Sequence, residues 1–501
     1  MISRFQTAAM PGDSQTAALA TPSARPVSHD HSRPLTEAKT SLNPVADKDT
    51  ALTNLIYAYL GFATLWLVVG TFVGEYLGIK FTAPDLESIP WLSYGRLRPV
   101  HTNTVFWGWS SLALIGLSLY VVPKTSNRRL YSLPLAWVSL VLINLAVVIG
   151  GVLLLSGINN GGQEYREYIW PVQGLFAVGA ILVAYNLIQT IAKREVEEIY
   201  IANWYIVAAF LWTIAVVVIA YLPFYQTNPI SESVIQGYYM HMGVGMWFTP
   251  LALGLTYYFL PKLLNKPIYS YSLGVLAFWT QMLFYTMIGA HHFVFAPTPW
   301  WIQTVAIIFS IGMLVTLAAG TGNFLLTMRG SFRTIARSYS LPFILAGVLA
   351  YFFWSAQGSL EALRSLNLVW HFTNFTVAHS HLTMYGFVAF LIWGGIYGLL
   401  PLLTGREPRQ ALVGVHFWLA VVGLTFYGGA LMVGGTMQGL SWIANAPFIE
   451  SVNAMVPFWL WRAVGGSLMF LSHLVFAYNV YTMRPAAAPA RVAAMQTVKA
   501  A

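Results

Sequence analysis

From about residue 52 to residue 482 the chain alternates long apolar runs with short polar breaks. Twelve runs can be drawn, at 52–78, 100–122, 131–156, 168–192, 199–222, 233–260, 271–294, 300–328, 338–358, 369–401, 412–436 and 455–482. An α-helix needs roughly 20 residues to cross a hydrocarbon core of about 30 Å, and each run meets that length. The pattern predicts an all-α fold, a polytopic membrane bundle of about twelve transmembrane helices. Residues 1–48 are rich in Ala, Thr, Ser and Pro without a sustained apolar stretch, and read as a disordered cytoplasmic tail rather than a secretory signal. Residues 49–484 form the transmembrane domain, and the Ala-rich residues 485–501 a second loose tail.

Composition supports the membrane reading. Only 9% of the 501 residues are charged, against about 25% in a soluble domain. The 19 Trp, 27 Tyr and 30 Phe fit aromatic belts at the lipid–water interfaces. The net charge of +9 is no nucleic-acid signal, because the basic residues sit in short loops between apolar runs. One alternate set of loops carries Lys124, Arg128, Arg129, Lys193, Arg194, Lys262, Lys266, Arg329, Arg333, Arg337, Arg406 and Arg409. The opposite set carries little beyond Arg96, Arg98, Arg166 and Arg364. The positive-inside rule places the first set in the cytoplasm, and an even number of spans then puts both termini there. Cys is absent, which excludes disulfides, thiolate metal sites, covalently attached haem and iron–sulfur clusters in this chain. Any metal here is held by His, Met or oxygen ligands.

Eleven histidines are present. His29 and His31 lie in the first tail, and His416 and His473 within the last two spans. The other seven are His101, His241, His291, His292, His371, His379 and His381. An imidazole within a membrane is costly and marks a functional site by default. The plain alternative, a ring satisfied by a neighbouring hydroxyl or carbonyl, is reasonable for one residue and strained for seven. On the predicted topology, histidines of four helices (the second, sixth, seventh and tenth) fall in the outer half of the bilayer. His379 and His381 are two apart, so on a helix they point about 200° from one another. One helix can therefore present ligands to two metals on opposite faces.

The segment Arg96-Leu97-Arg98-Pro99-Val100-His101-Thr102-Asn103 resembles the haem-ligand segment of cbb3-type cytochrome c oxidases, within the haem–copper oxidase superfamily. The stretch from His241 to Thr249 and Gly289-Ala290-His291-His292 look like the copper-ligand segments of that family. The stretch from His371 to His381 resembles its paired haem-ligand segment. The likeness runs from about residue 52 to 482. It implies a subunit I-like fold and a terminal oxidase that reduces dioxygen to water with coupled proton uptake and translocation. His101 and His381 would ligate a low-spin haem b, and His379 a high-spin haem b. His241, His291 and His292 would hold one copper ion. Tyr285 would be the redox-active tyrosine, cross-linked to His241. On an ideal helix Tyr285 and His292 are seven apart and share a face; the plain alternative is a packing tyrosine.

Further roles follow from the same likeness. Arg98 is placed to pair with a haem propionate, and Arg96 near it, with a snorkelling interfacial Arg as the alternative. His371 would bond a propionate. No Asp, Glu or Lys lies in the middle of any predicted span, so protons would use hydroxyls and water, with Thr249 and Thr280 as path candidates. Each of these threonines could instead bond its own backbone. Gln357 stands where the family usually carries Glu, and Asn374 is a second departure. Glu164 and Glu167 match an outer acidic loop that implies calcium, the alternative being a solvated loop. The expected partners are membrane lipid, dioxygen and membrane-anchored mono- and di-haem cytochrome c subunits, with no nucleic acid. The expected location is the bacterial inner membrane. Two other classes stay open. A nitric oxide reductase of the same superfamily uses non-haem iron beside glutamates, and the sequence suggests no Glu near His241, His291 or His292. A secondary transporter would show internal repeats, which are not apparent.

Overall fold

The computed structural model describes residues 49–86, 89–161, 163–224 and 228–485. The predicted tails, apart from residue 485, lie outside these. Among the described residues the regular structure is entirely helical, as the apolar pattern requires. Ten helices are each long and apolar enough to cross a membrane. They are α1 (Thr50–Lys80), α2 (Tyr94–Thr125), α3 (Leu133–Leu155), α4 (Trp170–Ala192), α5 (Ile201–Ala220), α8 (Trp300–Met328), α9 (Leu341–Glu361), α10 (Asn374–Thr404), α11 (Gln410–Ile443) and α12 (Phe448–Thr482). The sixth predicted span, α6, is continuous through Pro229–Met242, Gly243–Phe248 and Thr249–Leu264. The seventh, α7, is the 15-residue helix Tyr271–Tyr285.

Local chemistry explains the helix starts. Asp49, Ser132, Asn228, Ser270 and Thr373 each accept a hydrogen bond from a backbone N–H in the first turn that follows. Such caps satisfy donors that have no partner inside the helix. Pro134, Pro171, Pro229 and Pro342 occupy first-turn positions, where a missing N–H costs nothing.

α2, α6 and α10 are the buried helices of the bundle, rich in fully enclosed side chains such as Trp107, Trp247 and Trp393. All three change winding. Each contains a π-helical segment: Thr104–Ser110, Gly243–Phe248 and Leu382–Ala389. Each segment begins within a few residues of a histidine, namely His101, His241 and His381. A π-turn inserts a residue and re-aims the side chains on either side of it, and such bulges concentrate at functional sites.

Two predicted features are corrected. The apolar run 271–294 is not one helix. α7 ends at Tyr285, and a separate 3₁₀ turn, Gly289–Phe293, carries His291 and His292. Tyr285 and His292 therefore do not share a face of one helix. Likewise the run 369–401 is broken. A short helix, Arg364–Trp370, precedes His371, Phe372 has a positive φ of 63°, and α10 starts at Asn374. His371 therefore sits in the break rather than two turns back along α10. α11 holds this broken segment closely. A Cβ at Gly435 or Gly439 would overlap the backbone of Phe375 or Val369, so only glycine permits the approach.

Candidate functional site

The histidines of α2, α6, the 3₁₀ turn and α10 line two neighbouring cavities. One is bounded by His101, His381, Tyr427, Arg462 and Glu75. The other is bounded by His241, His291, His292, Tyr285, His371, His379 and Glu361. Arg98, Glu164, Tyr165, Ser380 and Met384 border both. His379 faces the second cavity and His381 the first, so the two-residue spacing does separate their faces as the sequence predicts.

In the first cavity the His101 and His381 rings are nearly parallel, at 10°, with centroids 6.4 Å apart. Two metal–imidazole bonds of about 2 Å each, with ring radii of about 1.1 Å, would set the centroids roughly 6 Å apart. His101 Nδ1 lies 2.7 Å from the Gly70 carbonyl and His381 Nδ1 2.8 Å from the Val377 carbonyl. A carbonyl only accepts, so both Nδ1 atoms carry hydrogen and both Nε2 atoms are unprotonated acceptors, that of His381 facing the Tyr427 hydroxyl. The Tyr427 hydroxyl lies 3.2 Å from His381 Nε2. Parallel rings, matched spacing and two unprotonated Nε2 atoms suit a haem iron held between the two imidazoles.

In the second cavity, ligand atoms of His241, His291 and His292 lie within 4.8 Å of one another. Among the described residues this is the cluster of metal-ligand type that emerges. His241 Nδ1 is 2.8 Å from His292 Nε2. His291 Nδ1 is 2.8 Å from Ser310 Oγ, and that hydroxyl donates to the Ala306 carbonyl at 2.6 Å. Ser310 therefore accepts from His291 Nδ1, which leaves His291 Nε2 open to a metal. The Tyr285 ring stacks on His241 with centroids 4.7 Å apart and planes at 9°. Three converging imidazoles fit copper or another divalent first-row ion. His379 Nδ1 lies 3.2 Å from Gln357 Oε1, and its remaining nitrogen is available as a metal ligand.

The other predicted residues are distributed unevenly. Arg98 donates to Glu164 at 2.9 Å while bordering both cavities. Arg96 instead donates to the Leu155 carbonyl at 3.0 Å and is not among the residues lining either cavity. Thr249 lines the second cavity and donates to the Val244 carbonyl. Thr280 is outside that lining; it donates to the Leu276 carbonyl and receives a bond from Thr316. Glu164 is engaged by Arg98, and Glu167 accepts from Asn103 Nδ2 at 2.8 Å.

Several residues were missed from sequence. Glu361, at the end of α9, lines the second cavity, and its Oε1 lies 3.5 Å from His379 Nδ1. Glu361 thus shares the second cavity and touches His379, while among the described residues the triad's own ligand cluster contains no Glu, as the sequence suggests. The α9 run looked finished at residue 358, which left Glu361 in an apparent loop. Gln281 and Ser310 carried no signal beyond being polar. Arg462 and Glu75 did: an ionisable residue inside an apolar run is itself a site marker. Arg462 lies over the Phe81 and Tyr427 rings at 4.5 and 5.6 Å from their centroids. It is the additional buried cation at the first cavity.

Glu167 supplies a pH test in the loop between α3 and α4. Burial pushes its carboxyl up to about 7, opposed in part by the bond from Asn103. The fold therefore holds this proton more tightly than the unfolded chain. The stabilisation is complete below about pH 4.5 and is lost as pH rises toward about 7, on the order of 3 kcal/mol. Thermal unfolding of the wild type should show this decline, and Glu167→Gln should remove it. An identical pH profile in the variant would refute the assignment.

Two cavities flanking one helix, one with paired imidazoles and one with a histidine triad, have the arrangement that a haem–copper type of electron-transfer enzyme requires. Comparison with known proteins agrees. The family model "Cytochrome C and Quinol oxidase polypeptide I" matches residues 54–468. The chain is 31% identical over 445 residues to "Cbb3-type cytochrome c oxidase subunit CcoN1" of Stutzerimonas stutzeri, covering 85% of this chain and 94% of that one. It is 32% identical over 440 residues to "Cytochrome c oxidase subunit 1 homolog, bacteroid" of Bradyrhizobium diazoefficiens, covering 84% and 80%. A solved "heme-copper terminal oxidase dimer" superposes with a TM-score of 0.73 at 18% identity, covering 87% of this chain and 84% of that one. The chain belongs to the cytochrome c and quinol oxidase polypeptide I family, on its cbb3-type branch, and is a membrane oxidoreductase.

Proposed function

We propose that this chain reduces dioxygen to water as the catalytic subunit of a terminal respiratory oxidase. Electrons come from membrane-anchored mono- and di-haem cytochrome c subunits, and proton uptake and translocation are coupled to the reaction. The observation that carries the reading is the pair of unprotonated Nε2 atoms on parallel rings beside a separate histidine triad. His101 and His381 hold a low-spin haem b, His379 a high-spin haem b, and His241, His291 and His292 one copper ion. When bound, these centres supply electrons to a diatomic gas. The chain's own residues do the rest. Gly70 and Val377 fix the tautomers of the low-spin ligands. Ser310 fixes that of His291. Tyr285 holds a transferable proton on its hydroxyl beside the triad, and a cross-link to His241 would fix its ring there. Arg98, with Arg462, offers guanidinium donors to the propionates, and His371 a further bond in the second cavity. Thr249 opens toward the second cavity as a proton-path residue, with Thr280 farther back. The location is the bacterial inner membrane with both termini cytoplasmic.

A second reading, nitric oxide reduction, is favoured by one observation: Glu361 lines the cavity that holds the triad. Gas consumption by the purified complex with a reduced cytochrome donor separates the two. Oxygen turnover with copper present supports the oxidase; turnover of nitric oxide alone, with iron at the triad, overturns it. His101→Ala should abolish the low-spin haem spectrum while the triad metal is retained. An unchanged spectrum would remove His101 from the ligand set.

A further inference from the structure

His416 and His473 take no part in the two cavities' metal sites as read above, yet both are fully buried within α11 and α12. They form the centre of a polar string. Asn479 Nδ2 donates to the Tyr397 hydroxyl at 2.9 Å, and Tyr397 lies 3.0 Å from His416 Nδ1. At the other end His473 Nδ1 lies 3.0 Å from Thr71 Oγ1, on the wall of the first cavity. Thr71 Oγ1 also donates to the Leu67 carbonyl at 2.6 Å.

These bonds fix the tautomers of the neutral rings. Tyr397 accepts from Asn479, so its own hydrogen goes to His416 Nδ1, and His416 carries its hydrogen on Nε2. Thr71 has given its hydrogen to Leu67, so it accepts from His473 Nδ1, and His473 Nε2 is a bare lone pair. His416 Nε2 is then a buried donor and His473 Nε2 a buried acceptor. Neither has a partner among the described residues, and the same is true of the Trp393 indole N–H. The Trp393 ring adjoins both histidines, with centroids 4.7 Å from His416 and 5.8 Å from His473. Phe343 and Phe476 wall His416 on the apolar side. Two unpaired donors and one unpaired acceptor on three adjoining buried rings, with His473 also on the wall of the first cavity, match the needs of a single water.

We propose that His416, Trp393 and His473 bind a water molecule, and that this unit takes up one proton when the adjacent low-spin haem gains an electron. This rests on the haem placement proposed above. A proton arriving at the Tyr397 oxygen shifts the tyrosine's own to His416 Nδ1. The His416 Nε2 proton moves to the water, and a water proton to His473 Nε2. One proton enters and none leaves, so a single positive charge beside the cavity balances the single electron gained. Other titratable and charged groups face the region: Tyr385, whose ring is 5.4 Å from His473, and Glu75, Arg98, Arg462 and Tyr427 around the cavity.

Two measurements on the assembled complex test this. A density map that resolves ordered water should show one within hydrogen-bond distance of both Nε2 atoms and the Trp393 indole; rings packed with no density between them would overturn the site. Spectroscopic redox titration should show the wild-type low-spin midpoint potential falling as pH rises, with the slope lost in His473→Phe. His416→Gln, which keeps the bond to the water but cannot pass a proton, should also lose the slope, and it decides the matter if His473→Phe does not assemble. A wild type without a slope, or variants that keep it, would overturn the proton uptake. A complex with no low-spin haem would refute the haem placement instead, leaving the water to be judged from the map.

Discussion

Tyr285→Phe is expected to lower dioxygen turnover by about a thousandfold, within the 10²- to 10⁴-fold range of a lost proton donor. Phenylalanine keeps the ring that stacks on His241 and loses only the hydroxyl. Haem absorbance and copper content should therefore match the wild type while oxygen consumption collapses. This separation matters because removal of a triad histidine would change metal content and activity together. Wild-type turnover in the variant would take Tyr285 out of the chemistry and favour the reading of it as a packing residue.

The second large effect is expected at Gly245. A Cβ there would overlap the Tyr285 ring, and the backbone cannot retreat, because the Gly245 carbonyl accepts from Gln281 Nε2 at 2.7 Å. Gly245→Ala must displace the tyrosine, which is itself stacked on His241. A loss of about 3 kcal/mol or more is expected from overpacking at a site that cannot relax. Copper retention should fall with it, because the ring that leaves supports a triad member. Gly61→Ala is the control: no atom lies within 4 Å of its added Cβ, so its melting temperature should stay near that of the wild type. A normal melt and full copper in Gly245→Ala would show that Tyr285 has room the structure does not suggest.

Much of the architecture could be read from the chain because lipid imposes a simple rule. Apolar runs of sufficient length had to be helices, and imidazoles inside them stood out against their surroundings. The separation of His379 from His381 onto two cavities followed from helix geometry alone. The end of α7 at Tyr285 could not be read the same way, since the residues after it are as apolar as those before. What ends the helix is the packing of the Gly289–Phe293 turn against α6, where a side chain on Gly289 would meet Tyr238. The break at Phe372 is equally a matter of its neighbour, since α11 supplies the glycines that admit it. Glu361 was lost to a boundary drawn three residues short. Arg462 and Glu75 were legible, and attention to acids and lysines in mid-span passed over them.

The altered winding in α2, α6 and α10 has a consequence for comparing this chain with any other. Each segment stores one residue of slack beside a histidine. Deleting a single residue from 243–248 would restore a straight α-helix and swing His241 by about 100° relative to Thr249. Sequence length across these stretches therefore encodes an angle. An ungapped pairing with a chain that lacks one of these insertions would match letters correctly on one side of it and assign the wrong compass bearing to every side chain on the other.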